Sequence, residues 1–448
     1  MDTKNYTGIH IKNFDLKTEN GIFGDLKLFL LLFFHAIGGI LWIALNRVPP
    51  TWDAALHTML SFKLLQYIQV HLFQFDIVSF LKISEYYPPF VHFTGIIIAL
   101  FSGESYKAMQ ILGLVYFLLS VSVLYFYSFK IFKNKTIAFL SAFFFIFFIT
   151  NYQQSRDFMF LQERSKHFSR TKETIFYSIF IGIAVLTKWT SLFFLILPFL
   201  LTLEEGRRIH KDQQFLVLKN ILVGVPIVGG ICLPWYLVNL QRFIDISKVT
   251  SIGELADPQN LLSLQNIFFN INLLSMYQLT YIGAAFFLIC LIFFLNSAHK
   301  KQIILIGGTI ILNYLIFTFI SNKNIRYTMP LTPFIAMIMA YGSHKLLTST
   351  SHIAKVASFF IAMWYVISYF ILSFGVPIQP NYRIGIKDID FVYLDSYPVK
   401  VLYDNTNWHN TEILNTIYSS SSPAEQGRDI TVLSTPIFLS CSRSSAKS

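Results

Sequence analysis

The chain has 448 residues, of which 54% are hydrophobic and only 13% charged, and its mean hydropathy is +0.54. Soluble domains carry about 25% charge, so this composition excludes an ordinary water-soluble protein and makes the bilayer the solvent. The net charge of +11 is dispersed in short clusters between apolar runs ("KIFKNK", "ERSKHFSRTK", "EEGRRIHK", "AHKKQ"). That is the pattern of cytoplasmic loops under the positive-inside rule, and it argues against nucleic acid as a partner.

Residues 1–27 are polar and lack the short apolar core of a cleaved signal peptide, so they read as a cytoplasmic segment before an uncleaved anchor. Apolar runs then recur at about 28–46, 108–130, 136–150, 175–187, 189–203, 216–238, 279–296, 302–320, 328–347 and 354–375. They predict an all-α polytopic membrane protein, a bundle of about ten transmembrane helices over 28–375. With the N-terminus inside, 47–107 is a first external loop carrying two juxtamembrane helices. Its stretch "YYPPFVHFTGIIIALFSG" (86–103) is too short to cross and reads as a helix in the interface.

Loop charge fixes the sidedness of the rest except at one place. "SRDFMF" falls outside and "QERSKHFSRTKE" inside, yet no apolar run separates them, so one crossing is missing. Beyond Gly375 the chain loses its apolar character. The segment 376–448, with alternating "DFVYLDSYPVKVLY", predicts a small external α/β remnant. Cys232, Cys290 and Cys441 have no metal or redox spacing and read as packing residues.

Three external places gather chemistry-bearing side chains. Asp53 and His57 stand at i and i+4 of a predicted helix and so share a face. A carboxylate there could act as general base, or hold a divalent metal with the imidazole; the alternative is an acid favouring the helix dipole in the first turn. Arg156 and Asp157 end an apolar span, where snorkelling charges are common. Lys323 and Arg326, in "SNKNIRYTMP", are cations at a helix entrance, where they oppose the dipole unless an anion sits between them. A phosphate would fit, and so would a lipid headgroup. Lys188, in "LTKWTS", occupies another external turn and could join the same phosphate.

The order of an Asp-bearing first external loop, "YYPP", "SRDFM", "LTKWTSLFFLILP" and "NIRYTMPLTPFIA" resembles the bacterial GT-C glycosyltransferases of the dolichyl-phosphate-mannose protein mannosyltransferase and aminoarabinose transferase type, over about residues 30–375. The resemblance implies sugar transfer from a polyprenyl-phosphate donor to a lipid, glycan or protein acceptor on the external face of a bacterial inner membrane. It implies Asp53 as the base with His57 beside it, and Lys188, Lys323, Arg326 and Tyr327 around the donor phosphate. The family pattern has a second acid after the first, where this chain has Ala54. It also continues from "SRDFM" through an acid and a further helix, which are absent here; Asp157, or else Glu163, is the candidate second acid. The departures define one rival reading, a degenerate non-catalytic homologue. A carrier of lipid-linked sugars is the other; it should show mid-span charges and broken helices.

Overall fold

The computed structural model describes residues 26–46, 52–154, 171–209, 214–251, 262–321, 323, 325–374, 383–386 and 389–393. Helix α1 (Leu26–Leu45) leads into α2 (Trp52–Val70), α3 (Ile77–Lys82) and α4 (Phe90–Ser102), then α5 (Tyr106–Phe132), α6 (Lys135–Phe147) and the short α7 (Ile149–Gln154). After α8 (Thr171–Thr187), α9 (Ser191–Ile209) and α10 (Gln214–Val238) come α11 (Leu240–Ser251) and α12 (Leu264–Leu273). The last helices are α13 (Thr280–Leu295), α14 (Lys300–Phe319), α15 (Thr332–Thr348) and α16 (His352–Phe374). Strands β1 (Arg383–Ile386) and β2 (Ile389–Tyr393) pair antiparallel. The N-terminal segment to residue 25, the "SRDFM" motif with Arg156 and Asp157, the stretch expected to lack a crossing, and the rest of the tail lie outside the described residues.

Each of the ten apolar runs forms a helix, but their lengths differ. Among the described residues, α1, α5, most of α10, α14 and α16 are long and apolar enough to cross a membrane. Helices α12 and α13 qualify together, bent by 112° between Gln278 and Thr280. Helix α6 has 13 residues, about 20 Å, against a hydrocarbon core of roughly 30 Å. The first loop holds three helices, one more than expected. The extra one, α3, forms because Asp76 caps it: its carboxylate accepts from the backbone N of Val78 (3.0 Å) and Ser79 (3.1 Å) and from Ser79 Oγ (2.6 Å). Those bonds, that from the Ser79 hydroxyl foremost, hold the Asp76 carboxyl below the usual carboxylate range.

The core is built round α15, whose residues Ile335 to Ser343 are all buried, with α5, α6, α13 and α16 packed about it. A helix apolar on every side belongs in such a central position. Its crossing with α13 is close enough that a Cβ on Gly342 would meet the backbone of Cys290.

Contacts between loops sort the two ends of the bundle. At one end, Phe132 lies against His299 (5.8 Å), His299 against Tyr341 (5.6 Å), and Asn134 Nδ2 pairs with His344 Nε2 (3.2 Å). The α5–α6 turn, the α13–α14 turn and the C-terminus of α15 therefore share it, with Lys130, Lys133, Lys135, Lys300, Lys301 and Lys345. At the other end, Lys107 Nζ donates to Ala44 O (3.0 Å), joining the start of α5 to the end of α1. The end of α10 reaches the α3–α4 turn there: Trp235 Nε1 donates to Ser84 Oγ (2.6 Å) and Asn239 Nδ2 to Leu81 O (3.0 Å).

Three interruptions of helix meet inside the bundle: the α6–α7 break, a π-helical turn (Leu274–Gln278) after α12, and two 3₁₀ turns (Ile325–Tyr327 and Met329–Leu331) before α15. At 1.5 Å per residue, Thr332 sits about 18 Å along α15 from His344, within membrane depth. Backbone freed from helix there needs protein partners. Thr150 Oγ1 donates to Tyr277 O (3.0 Å), Gln278 Nε2 to Thr328 Oγ1 (2.6 Å), and Asn151 Nδ2 to Thr332 Oγ1 (3.1 Å).

Candidate active site

The α2–α4 unit forms because "LHTMLSFKLLQ" and "FVHFTGIIIAL" each bury one side against the other. Leu64, Leu65, Phe80, Val91, Ile96 and Ala99 join Met109 and Leu112 of α5 in a single cluster. The unit is seated on α8 and α10, where Leu81 and Phe90 pack against Val185, Leu186, Cys232 and Trp235.

Asp53 lies in the first turn of α2, and His57 one turn further along. His57 Nδ1 is hydrogen-bonded to Nε2 of His92, in the first turn of α4, at 2.9 Å. The Tyr87 ring meets His57 edge-on, with centroids 4.6 Å apart. His92 is fully buried. That burial, and the neighbouring His57 ring, push the His92 pKa well below the ordinary histidine value. Sequence reading missed His92, whose partner lies 35 positions away; only the packing of α4 on α2 brings them together.

Two imidazoles sharing a tetrahedral zinc at about 2.0–2.1 Å would hold their nitrogens roughly 3.3 Å apart, whereas the 2.9 Å between His57 Nδ1 and His92 Nε2 is a hydrogen bond, so these two nitrogens do not share a metal. Among the described residues no group of three or more His, Cys, Asp or Glu gathers as a metal site would require.

The donor-side candidates converge. Lys188 stands in the α8–α9 turn, two residues beyond Leu186, and its Nζ lies 5.8 Å from the ring centroid of Tyr327. Tyr327 in turn stacks on Phe317 of α14 (5.5 Å, 14° between planes). Lys323 Nζ donates to Phe317 O (3.2 Å) and Thr318 O (2.7 Å). Lys323 does not stand at the entrance of α15 as expected: it caps the C-terminus of α14, where a cation complements the dipole. Arg326 precedes Tyr327 in the same 3₁₀ turn, separated from α15 by a second such turn. Lys188, Lys323, Arg326 and Tyr327 thus occupy adjoining turns at the end of the bundle opposite the lysine-rich turns. The α2–α4 unit with His57 occupies that end too.

The helical bundle, with its broken helices and a helical first loop folded over one end, has a fold found among solved membrane proteins. A solved structure that shares it is ArnT from Cupriavidus metallidurans bound to undecaprenyl phosphate, with a TM-score of 0.52 and 12% sequence identity, covering 77% of this chain and 70% of that one. At that identity the likeness is one of fold. No protein-family model matches the sequence, and neither does any curated protein.

Proposed function

We propose that the chain is an integral membrane glycosyltransferase that moves a sugar from a polyprenyl-phosphate donor to an acceptor at the external face of a bacterial inner membrane, with inversion at the anomeric carbon. The observation that carries this reading is the convergence of Lys188, Tyr327, Phe317 and Lys323. It lies at the bundle end away from the basic turns, on a fold shared with a protein solved with undecaprenyl phosphate.

In this reading Asp53 takes the proton from the acceptor hydroxyl as its oxygen attacks the anomeric carbon. The bond from that carbon to the phosphate oxygen breaks, and polyprenyl phosphate leaves carrying the electron pair. Lys188, Lys323 and Arg326 stabilise the charge that develops on it, and Tyr327 positions Lys188 through its ring face. Asp157 is the candidate second acid. A lipid-borne donor accounts for a site built where the bundle meets the membrane surface.

The test is transfer of labelled sugar from synthetic polyprenyl-phosphate donors by the protein in proteoliposomes. Asp53→Asn should lower turnover by at least about a hundredfold, the scale of general-base loss, with donor binding unchanged. Undiminished transfer by that variant would remove Asp53 from the base role. Donor binding without transfer by the wild type would favour the degenerate reading, which Ala54 in place of the second acid supports. Counterflow of the intact lipid-linked sugar without transfer would favour the carrier, which the single bent helix pair among the described residues supports only weakly.

A further inference from the structure

We propose that His92 is a positioning residue: it donates its Nε2–H to His57 Nδ1, so that neutral His57 carries its proton on Nε2 and acts as a hydrogen-bond donor to an anionic oxygen, not as a base. The inference deepens the function proposed above.

Two tautomeric arrangements are open to the histidine pair. His57 Nδ1 and His92 Nε2 are 2.9 Å apart, so one of them carries a proton and the other a lone pair. The other nitrogen of His92, Nδ1, is buried with no hydrogen-bond partner among the described residues. If His57 were the donor, neutral His92 would have to keep its proton on Nδ1, and an N–H would be buried unsatisfied. If His92 is the donor, only a lone pair is left unmatched there. Buried donors without partners are rarer than under-used acceptors, which selects the second arrangement. Full burial of His92 keeps its ring neutral and in place, so it sets the tautomer of its partner.

With Nδ1 accepting, neutral His57 has its proton on Nε2. A protonated ring nitrogen takes no further proton, which leaves the base role to a carboxylate. It does suit donation to a carboxylate or phosphate oxygen, and Asp53 stands one helical turn earlier on α2. Tyr87 lies edge-on to His57. Sequence spacing alone put Asp53 and His57 on one face; the buried third member decides which of them can hold the proton.

The test reads tautomers directly. The full chain, with its eleven histidines labelled with ¹⁵N and assigned by single substitution, is held in lipid nanodiscs at pH 8. Long-range nitrogen–proton correlation then reports which ring nitrogens are protonated. The expected result is a proton on Nε2 of both His57 and His92. His92→Phe should bring the His57 tautomers toward an even mixture, a change of about tenfold in their ratio if one hydrogen bond is lost. His92→Gln, whose amide N–H reaches the place of Nε2, should restore the wild-type pattern. A proton on Nδ1 of His57 in the wild type overturns the proposal, as does a His57 tautomer indifferent to both substitutions. These readouts need no turnover, so they are separable from the transfer reading: failed transfer with the expected tautomers sinks only the latter.

Discussion

At the scale of single residues, the site depends on whether a charged or aromatic side chain has work within the fold or is left to meet a ligand. Lys323 is largely spoken for by the carbonyls ending α14. Lys188 makes a cation–π contact with a ring already held by stacking, and in the proposed reading its charge meets the donor phosphate. Lys188→Gln should therefore weaken binding of polyprenyl phosphate by about ten- to a hundredfold, the value of a charge-assisted hydrogen bond, as read by titration of labelled lipid. Tyr327→Phe should keep the stack and lose much less; Tyr327→Ala should approach the Lys188→Gln effect, because the ring that places the ammonium is gone. Equal losses in Tyr327→Phe and Tyr327→Ala would show the hydroxyl, and not the ring, to be what matters. Asp53 with His57 was legible in sequence because i, i+4 spacing is local. His92 was not, since nothing in "FVHFTG" distinguishes a histidine destined for another helix from one facing water. Lys323 was misjudged for a related reason: the boundary between α14 and the following turns decides which helix end a cation meets, and apolar pattern alone places such boundaries poorly.

At the scale of elements, the first loop is a packed unit with its own core, and its weak point in acid is the same buried ring. Folding holds the His92 pKa well below the 6.5 of an unperturbed histidine, so between those values the unfolded chain binds a proton that the folded chain refuses. Stability then rises with pH across that window. The packing of α2 on α4 should be intact above about pH 6.5 and loosen progressively below it. Hydrogen exchange over 52–102, corrected for intrinsic rates, should show faster opening at pH 5.5 than at pH 7.5, and His92→Phe should flatten that difference. Exchange independent of pH in the wild type would mean that the ring gains a compensating charge partner in acid. The existence of α2 and α4 followed from their apolar content. The break between α12 and α13 did not, because "NLLSMYQLTYIGAAFF" contains no proline or glycine at the bend; it depends on contacts far away in sequence. Tyr365 of α16 donates to Leu279 O (2.7 Å) and Trp364 Nε1 to Thr280 Oγ1 (3.1 Å), with Thr280 in the left-handed region (φ 63°).

At the scale of the whole molecule, direction of travel matters more than the number of helices. Helix α6 starts at the lysine-rich end, where Asn134 meets His344. Helix α8 ends beside the first-loop unit, where Val185 and Leu186 meet Leu81 and Phe90, so its Thr171 end lies toward the lysine-rich side. Both helices therefore run the same way. Single cysteines, in a chain with Cys232, Cys290 and Cys441 replaced by serine, can test the whole arrangement with an impermeant maleimide on intact cells. Positions 104 and 189 should label from outside, and positions 133, 172 and 300 only after permeabilisation. If position 172 labels with 104 and 189, α8 does not run parallel to α6. If the two sets exchange while staying intact, the bundle stands, but Lys188, Tyr327 and the histidine pair would face the cytoplasm. An external acceptor would then be out of reach.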